Sequence, residues 1–318
     1  MARTAMLSLA AAFLAATAAS AQGVPQKLKV AVAQRGQWDT AVTELGTRAG
    51  IFKKRGLDIE ILYTQGGPEA HQAVISGSMD VACGGGIEAA IGAYGRGAPL
   101  HIIGSAMIGS PDTYWFVPAN SPIRSLHDAA GKTISFSQTG SSSHTALLAL
   151  LEQYKVDARP VATGGHPQTL TMTMTGQIDI GRGAAPFGLE LVEEGKIRVI
   201  ARGSEIKARA DQSVRVCVAN RYTIDHGTVI PLMQGYRDTL DWMYSDPAAM
   251  KVYQEFSGVS QALMAKIRDE YFPKATLWPD ELRGLDLVLA DALKNKFLQK
   301  PLAAEQVKDL VRIPAPMK

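Results

Sequence analysis

Short apolar strand patterns and helical segments alternate along this chain of 318 residues, and the alternation occurs twice. The first run extends from Lys27 to Met107, and the second extends from Lys132 to Ala201. Short strands joined by helices of this length are typical of βαβ units, which build a mainly parallel sheet with helices on both faces. The sequence therefore predicts an α/β protein made of two similar lobes.

A short internal repeat supports two lobes of the same design. The segment Ser76-Gly77-Ser78-Met79-Asp80-Val81 is echoed 99 residues later by Thr175-Gly176-Gln177-Ile178-Asp179-Ile180. Each copy follows a predicted helix and leads into a glycine-bearing strand end. We therefore expect the two lobes to meet at the ends of their strands.

Two extended apolar segments are predicted to carry the chain between the lobes, at residues 112–117 and 214–219. Crossings of this kind act as hinge strands that let two lobes close on a ligand. The predicted first lobe contains residues 22–113 together with the helical tail 220–318. The predicted second lobe contains residues 114–219, including the hinge crossings.

The N-terminal residues 1–21 have the pattern of a cleaved export signal. Arg3 is their one charged residue, an Ala/Leu/Phe run follows it, and Ala19-Ser20-Ala21 forms a cleavage site of small residues. A membrane anchor is the alternative, but the apolar run is short for a span of about 20 residues. We expect a soluble, monomeric periplasmic protein whose mature chain begins at Gln22.

Charge and cysteine content limit the partners and the redox chemistry. The formal net charge is +3 and no basic cluster occurs, so nucleic acid is not predicted as a partner. Cys83 and Cys217 each lie in an apolar, strand-like run. Export makes a disulfide possible, but the hinge assignment puts the two residues apart. Two buried free thiols are therefore expected.

The stretch from Lys132 to Tyr154 carries the strongest indication of a ligand. It is predicted to form a strand, a serine-rich loop at residues 137–143 and a helix. No Asp or Glu lies between Gly131 and Leu151, so nothing in this stretch neutralises the positive end of the helix dipole. The loop thus favours an anion from outside the chain. Alternatively, the serines only cap the helix.

Ligands of open α/β sheets bind beyond the carboxyl ends of the strands. In the second run, these ends bring His166 and Arg182 to the predicted cleft, where the Arg fork suits a carboxylate or sulfonate. His166 could instead cap a helix, and Arg182 could instead pair with a nearby acid. In the first run, Trp38 could stack on a planar ligand or plug the mouth of the lobe.

Four spaced motifs stand out along the chain: Gly50-Ile51-Phe52-Lys53-Lys54-Arg55-Gly56-Leu57-Asp58, Ser76-Gly77-Ser78-Met79-Asp80, Gly131-Lys132-Thr133-Ile134 and Gly176-Gln177-Ile178-Asp179. They resemble the substrate-binding proteins of bacterial ABC importers in the NMT1/THI5-like group, which includes nitrate, sulfonate, taurine and pyrimidine-precursor binders. The resemblance covers residues 27–300 in order.

The resemblance implies a two-lobed receptor that closes on a solute and delivers it to a membrane permease driven by a cytoplasmic ATPase. It also implies that the solute contacts the loops after the strands of each lobe. Carried onto this sequence, the ligand-binding residues are Gln37, Trp38, Gly67, Gly85, Gly86, Ser137, Thr139, Gly140, Ser141, Ser142, His166 and Arg182.

Enzyme classes find little support in the sequence. No nucleophile elbow, P-loop or dinucleotide fingerprint occurs, and the six histidines show no metal-ligand spacing, so neither a cofactor nor a metal is predicted. A small organic carboxylate or sulfonate is the expected ligand. The alternatives are a neutral pyrimidine-like ligand, a sensor subunit, or an enzyme that resembles the thiamin-pyrimidine synthase of this group, although its cysteine cluster is absent.

Overall fold

The computed structural model describes residues 25–315, so the predicted export signal lies outside the described residues. The strands are β1 (Gln26–Ala33), β2 (Leu57–Thr64), β3 (Val81–Gly86), β4 (Leu100–Ile108), β5 (Thr113–Pro118), β6 (Thr133–Phe136), β7 (Arg159–Ala162), β8 (Gly181–Ala184), β9 (Ile197–Arg202) and β10 (Ser213–Asn220). The α-helices are α1 (Val42–Arg48), α2 (Ile51–Lys54), α3 (Gly67–Ile75), α4 (Ile87–Gly95), α5 (Ser142–Tyr154), α6 (His166–Met174), α7 (Leu189–Glu193), α8 (Arg221–Asp225), α9 (Val229–Ser245), α10 (Pro247–Ser257), α11 (Gln261–Lys266), α12 (Leu285–Lys294) and α13 (Ala304–Leu310).

The first lobe is built on a five-stranded sheet in the order β2-β1-β3-β10-β4. Strands β2, β1 and β3 pair in parallel, whereas β10 is antiparallel to both of its neighbours. The apolar residues of β1, β3, β4 and β10 are buried on both faces of this sheet, as expected when helices cover both faces.

The second lobe repeats this arrangement. Strands β6 and β7 pair in parallel, and an isolated parallel bridge joins Ile134 of β6 to Ile180, the residue before β8. Strand β5 lies between β8 and β9 and is antiparallel to both. The strands therefore follow the order β7-β6-β8-β5-β9, which matches the first lobe position by position.

The predicted α/β fold with two similar lobes is confirmed, and the role of the crossing segments becomes clear. Strands β5 and β10 are each inserted into the middle of the sheet that the chain is entering. Residues 214–219, which were assigned to the second lobe as a hinge, pair with β3 and β4 of the first lobe. We propose that the two connections proper are residues 109–112 and 203–212.

The expectation of two free thiols is wrong. Cys83 and Cys217 form a disulfide, with a distance of 4.0 Å between their α-carbons. They are directly opposite each other on the adjacent antiparallel strands β3 and β10. The hinge interpretation of residues 214–219 hid this pairing, because it placed Cys217 outside the sheet that contains Cys83.

One predicted helix is divided, whereas the predicted helical tail packs on the first lobe as expected. The helix predicted from Thr40 to Phe52 is divided into α1 and α2, because Gly50 adopts a left-handed conformation with a φ of 69°. The long helix α9 packs its buried face, including Leu232, Tyr236 and Leu240, on the first lobe. Within residues 25–315, no helix is both long enough and apolar enough to cross a membrane.

Candidate functional site

A polar cavity lies between the lobes where the strand ends of the two sheets meet. It measures about 20 Å³, which is enough for about one water molecule, so the lobes are closed around it. Seven of the predicted ligand residues line it: Gln37, Gly67, Gly86, Ser137, Ser141, Ser142 and Arg182. Its other lining residues are Ala33, Gln34, Gly66, Gly84, Ser143 and Arg215.

The lobes touch each other directly beside this cavity. Gly86 of the first lobe packs against the backbone of the serine-rich loop, and a β-carbon built on Gly86 would lie 2.8 Å from both the Gly140 carbonyl oxygen and the Ser142 nitrogen. Contacts this short do not occur between real β-carbons and backbone atoms. A glycine at position 86 therefore allows the lobes to close fully.

The serine-rich loop combines a capping role with a ligand-facing position. Ser141 is the N-cap of α5, and its hydroxyl oxygen accepts a hydrogen bond of 3.2 Å from the backbone N–H of His144. Ser143 bonds the hydroxyls of Ser137 and Ser141, each at 3.0 Å. The first turn of α5 contains no acidic residue, so its dipole is not neutralised within the helix. Helix capping thus explains Ser141 alone, and the serines of this loop line the cavity.

Arg182 on β8 brings a buried positive charge to the cavity. Its side chain is 4% exposed, yet Nε and Nη2 have no hydrogen-bond partner among the described residues. Burial, followed by repulsion from Arg215, lowers the pKa of Arg182 to about 10, while Asp112 opposes this shift. The guanidinium therefore stays charged at neutral pH.

Arg215 on β10 faces the same cavity from the first lobe, and its charge is compensated. Its two Nη atoms each lie 2.7 Å from a carboxylate, one from Asp39 and one from Asp112. Burial opposes ionisation, but these two carboxylates outweigh it and raise the pKa of Arg215. Its Nε also donates a 3.2 Å hydrogen bond to Ser142 across the cleft, and Gln37 donates to Asp112 at 3.2 Å.

Asp39 has a different environment from Asp112. Burial raises the pKa of Asp39, and the nearby Asp112 adds to this effect, although Arg215 opposes it. One oxygen of Asp39 has no partner within residues 25–315. Both carboxylates nevertheless pair with Arg215, so the charged group of the cavity without a carboxylate partner among the described residues is Arg182.

The remaining predicted ligand residues lie outside the polar cavity. Trp38 is fully buried in the core, where its indole N–H donates to the Tyr244 hydroxyl at 2.9 Å and its ring packs edge-on against Tyr253. Gly85 lies behind Gly86, against His71. Of the two roles predicted for Trp38, the structure therefore favours plugging the lobe over stacking on a ligand, because the ring is buried and does not line the polar cavity.

Thr139 and Gly140 line a separate surface cavity of about 300 Å³ together with Phe297. His166 begins α6 and lines an adjoining cavity that also contains Arg182. Among the described residues, no three His, Cys, Asp or Glu side chains are close enough to hold a metal ion.

Sequence reasoning missed Arg215, Asp39 and Asp112. Arg215 lies in the run Val214-Arg215-Val216-Cys217-Val218, where a single charge is surrounded by apolar strand residues. A charge in the middle of a buried strand requires a partner, and this was the available signal. It could not identify the two carboxylates, because they come from segments 176 and 103 positions away.

Comparison with models of known protein families identifies the family of this chain. A model of the NMT1/THI5-like family matches residues 41–250, about two thirds of the sequence. The chain belongs to the NMT1/THI5-like family. The sequence resemblance to ABC-importer substrate-binding proteins of this family is thereby confirmed. A comparison of the chain with curated protein sequences found no match.

Solved structures share the fold of this NMT1/THI5-like protein. The periplasmic aliphatic sulphonate binding protein SsuA from Escherichia coli is 18% identical, with a TM-score of 0.72, over 92% of this chain and 94% of that chain. The alkanesulfonate-binding protein SsuA from Xanthomonas axonopodis pv. citri, bound to MOPS, is 20% identical, with a TM-score of 0.74, over 92% of this chain and 100% of that chain.

A DszB variant in complex with biphenyl-2-sulfinic acid also shares the fold. It is 16% identical, with a TM-score of 0.63, over 89% of this chain and 96% of that chain. Several of the structures similar to this NMT1/THI5-like protein are named as binding proteins or as the ligand-binding component of an import system. At these identities, each similarity describes the fold.

Proposed function

We propose that this protein is the periplasmic solute-binding component of an ABC import system. Its two lobes close on a small organic anion, a carboxylate or a sulfonate, and the loaded protein delivers that anion to a permease driven by a cytoplasmic ATPase. It acts by binding and not by catalysis. The family membership and the similar SsuA folds support this proposal.

The observation that carries the proposal is the buried guanidinium of Arg182, which lacks an acceptor among residues 25–315. Burying a charge without a partner is costly, so proteins pair such charges or use them to bind ligands. The planar fork of Arg binds carboxylate and sulfonate oxygens through paired charge-assisted hydrogen bonds. The α5 N-terminus and the hydroxyls of the serine-rich loop add further donors on the same side of the cavity.

The charge balance of the cavity supports a monoanion. Arg215 is already paired with two carboxylates, so one bound anion would pair with the remaining cation, Arg182. A dianion would bring a second negative charge into a buried environment where the other arginine is already compensated, which desolvation disfavours. A neutral ligand would leave Arg182 without a counter-charge.

The test is a titration of the full chain with methanesulfonate, acetate, nitrate, bicarbonate and a neutral pyrimidine, followed by thermal unfolding. A ligand at about 100 times its Kd adds about 2.7 kcal/mol to the unfolding free energy, which raises Tm by several degrees. We expect at least one anion to give this shift, and Arg182→Met to lower its affinity by about 100-fold.

A response to the neutral pyrimidine alone would overturn the anion assignment and leave the two-lobed receptor in place. If an anion raises the Tm of Arg182→Met as much as that of the parent chain, the anion binds somewhere other than this cavity. Uptake of the same anion by cells, lost when the gene for this protein is deleted, distinguishes an import component from a sensor subunit.

A further inference from the structure

We propose that the ligand of this cleft is an aromatic monocarboxylate with a single ring, whose carboxylate binds Arg182 while its ring occupies an adjoining apolar cavity. This inference rests on the proposed anion-binding function and names the class of anion. The adjoining cavity is defined by Phe116, Leu170, Phe187, His166 and Arg182, and we call it the ring cavity.

The ring cavity shares one residue with the polar cavity, and that residue is Arg182. The guanidinium therefore lies at the junction between a polar space with room for about one water molecule and an apolar space. An anion whose charged end binds Arg182 among the serines must extend the rest of the molecule into an adjoining space, and the ring cavity is the adjoining space that Arg182 itself lines. The two cavities together fit a molecule that is polar at one end and apolar at the other.

The size of the ring cavity selects one aromatic ring. It measures about 170 Å³. An apolar protein cavity of about 150 Å³ holds one benzene molecule, so the ring cavity itself has room for one ring. A second cavity of about 320 Å³ borders it at His166 and Phe187, but its lining includes the polar side chains of Gln34, Arg35 and Gln65.

The walls of the ring cavity favour a flat, aromatic body over an aliphatic chain. Phe187 and His166 form a parallel stack, with 4.5 Å between ring centroids and 16° between ring planes. A ligand ring can pack against this pair edge to face or offset, and such arrangements add stabilisation beyond the area buried. Phe116 and Leu170 supply the remaining apolar contacts.

His166 does not compete with Arg182 for the carboxylate. Its imidazole is 5% exposed, and neither ring nitrogen has a partner among the described residues. Burial, followed by repulsion from Arg182 and Arg215, holds the pKa of His166 well below its ordinary value, so the ring is neutral at pH 7. The cation that faces the ring cavity is therefore Arg182, which fixes the orientation of the ligand.

The experiment compares benzoate with methanesulfonate in calorimetric titrations of the full chain. Benzoate should bind about 10- to 100-fold more tightly than methanesulfonate, because it buries a phenyl ring. Leu170→Trp fills the ring cavity and should reduce the ratio of the two affinities to about one. Met174→Trp adds the same side chain one turn farther along α6, at a position that is 46% exposed and does not line the ring cavity, and should preserve the ratio.

Phe187→Ala is the second variant and should lower the ratio by about 10-fold, which keeps the test decisive if Leu170→Trp does not fold. If methanesulfonate binds through Arg182 but benzoate gains nothing, the ring cavity is not a ligand subsite and the anion function stands. If neither probe binds in an Arg182-dependent manner, the proposed function fails together with this inference. Equal benzoate binding by Leu170→Trp and the parent chain would also overturn the ring cavity.

Discussion

The two walls of the cleft each contribute a buried arginine, and the two arginines differ in how their charge is compensated. Arg215, on the wall of the first lobe, is held by Asp39 and Asp112 at 2.7 Å. Arg182, on the wall of the second lobe, has two guanidinium nitrogens without a partner within residues 25–315. The first wall is therefore complete within the protein, whereas the second wall offers a charge to a ligand.

The largest expected effect is on the wall of the first lobe, where Arg215 is paired with two carboxylates and which we call the compensated wall. Arg215→Ala should lower the unfolding free energy by about 3–5 kcal/mol, because it leaves two buried carboxylates without their cation. Urea denaturation of the ligand-free protein measures this change. Adding Asp39→Asn and Asp112→Asn to Arg215→Ala should recover part of the loss, since the amides carry no charge that requires compensation.

If Arg215→Ala is as stable as the parent chain but loses anion binding, the roles of the two arginines are exchanged. In that case Arg215 would be the ligand-binding group and the comparison between the walls would fail.

The second expected effect concerns how Arg215 is held in place. The Cys83–Cys217 disulfide links β3 to β10, two positions along the strand from Arg215, and the two cysteines are 134 residues apart in sequence. Replacing both cysteines with Ala should cost about 2–4 kcal/mol of unfolding free energy. Thermal unfolding with and without a reductant measures this cost, and the reductant should not change the double variant.

Alkylation of two thiols in the oxidised, folded protein would contradict the disulfide and restore the expectation of free cysteines. Unchanged methanesulfonate affinity in the double variant would show that the disulfide supports the first wall and not the ligand contacts.

The difference between the walls also separates what the sequence could reveal from what it could not. Arg182 and the serine-rich loop follow short strands of local βαβ units, so strand ends and helix starts were enough to place them at the cleft. Most predicted elements lie close to their observed positions for the same reason. These features depend on residues that are near each other in sequence.

The compensated wall depends on one insertion that local patterns do not encode. Strand β10 enters the first sheet between β3 and β4 and brings Arg215 to Asp112 and Cys217 to Cys83. A short, mainly apolar extended segment such as residues 214–219 looks much the same in a hinge as in the middle of a sheet. Trp38 was uncertain for a similar reason, because its partners Tyr244 and Tyr253 are more than 200 positions away.

The next expected effect tests the contact between the walls. Gly86→Ala should weaken anion binding by about 10-fold, because its β-carbon would meet the backbone of the serine-rich loop only when the lobes close. The φ of −66° at Gly86 is accessible to alanine, so the unliganded protein should unfold at nearly the parent Tm. Small-angle scattering with saturating ligand should show a larger radius of gyration than for the parent chain. Parent-like affinity in this variant would mean that ligand binding does not require full closure.

The smallest expected effect is a gain in unfolding free energy, opposite in sign to the loss expected for Arg215→Ala. It tests the difference between the two arginines most directly. Arg182→Met keeps an unbranched apolar stem of similar length and removes a buried charge that has no carboxylate partner within residues 25–315. Without ligand, this variant should therefore be more stable than the parent chain by about 1 kcal/mol, since the desolvation penalty is removed and no acceptor is left behind. Urea denaturation in an anion-free buffer measures the gain, and a saturating anion should reverse the order by stabilising the parent chain alone. A loss of stability comparable to that of Arg215→Ala would show that Arg182 is a structural residue, and the two walls of the cleft would then be equivalent.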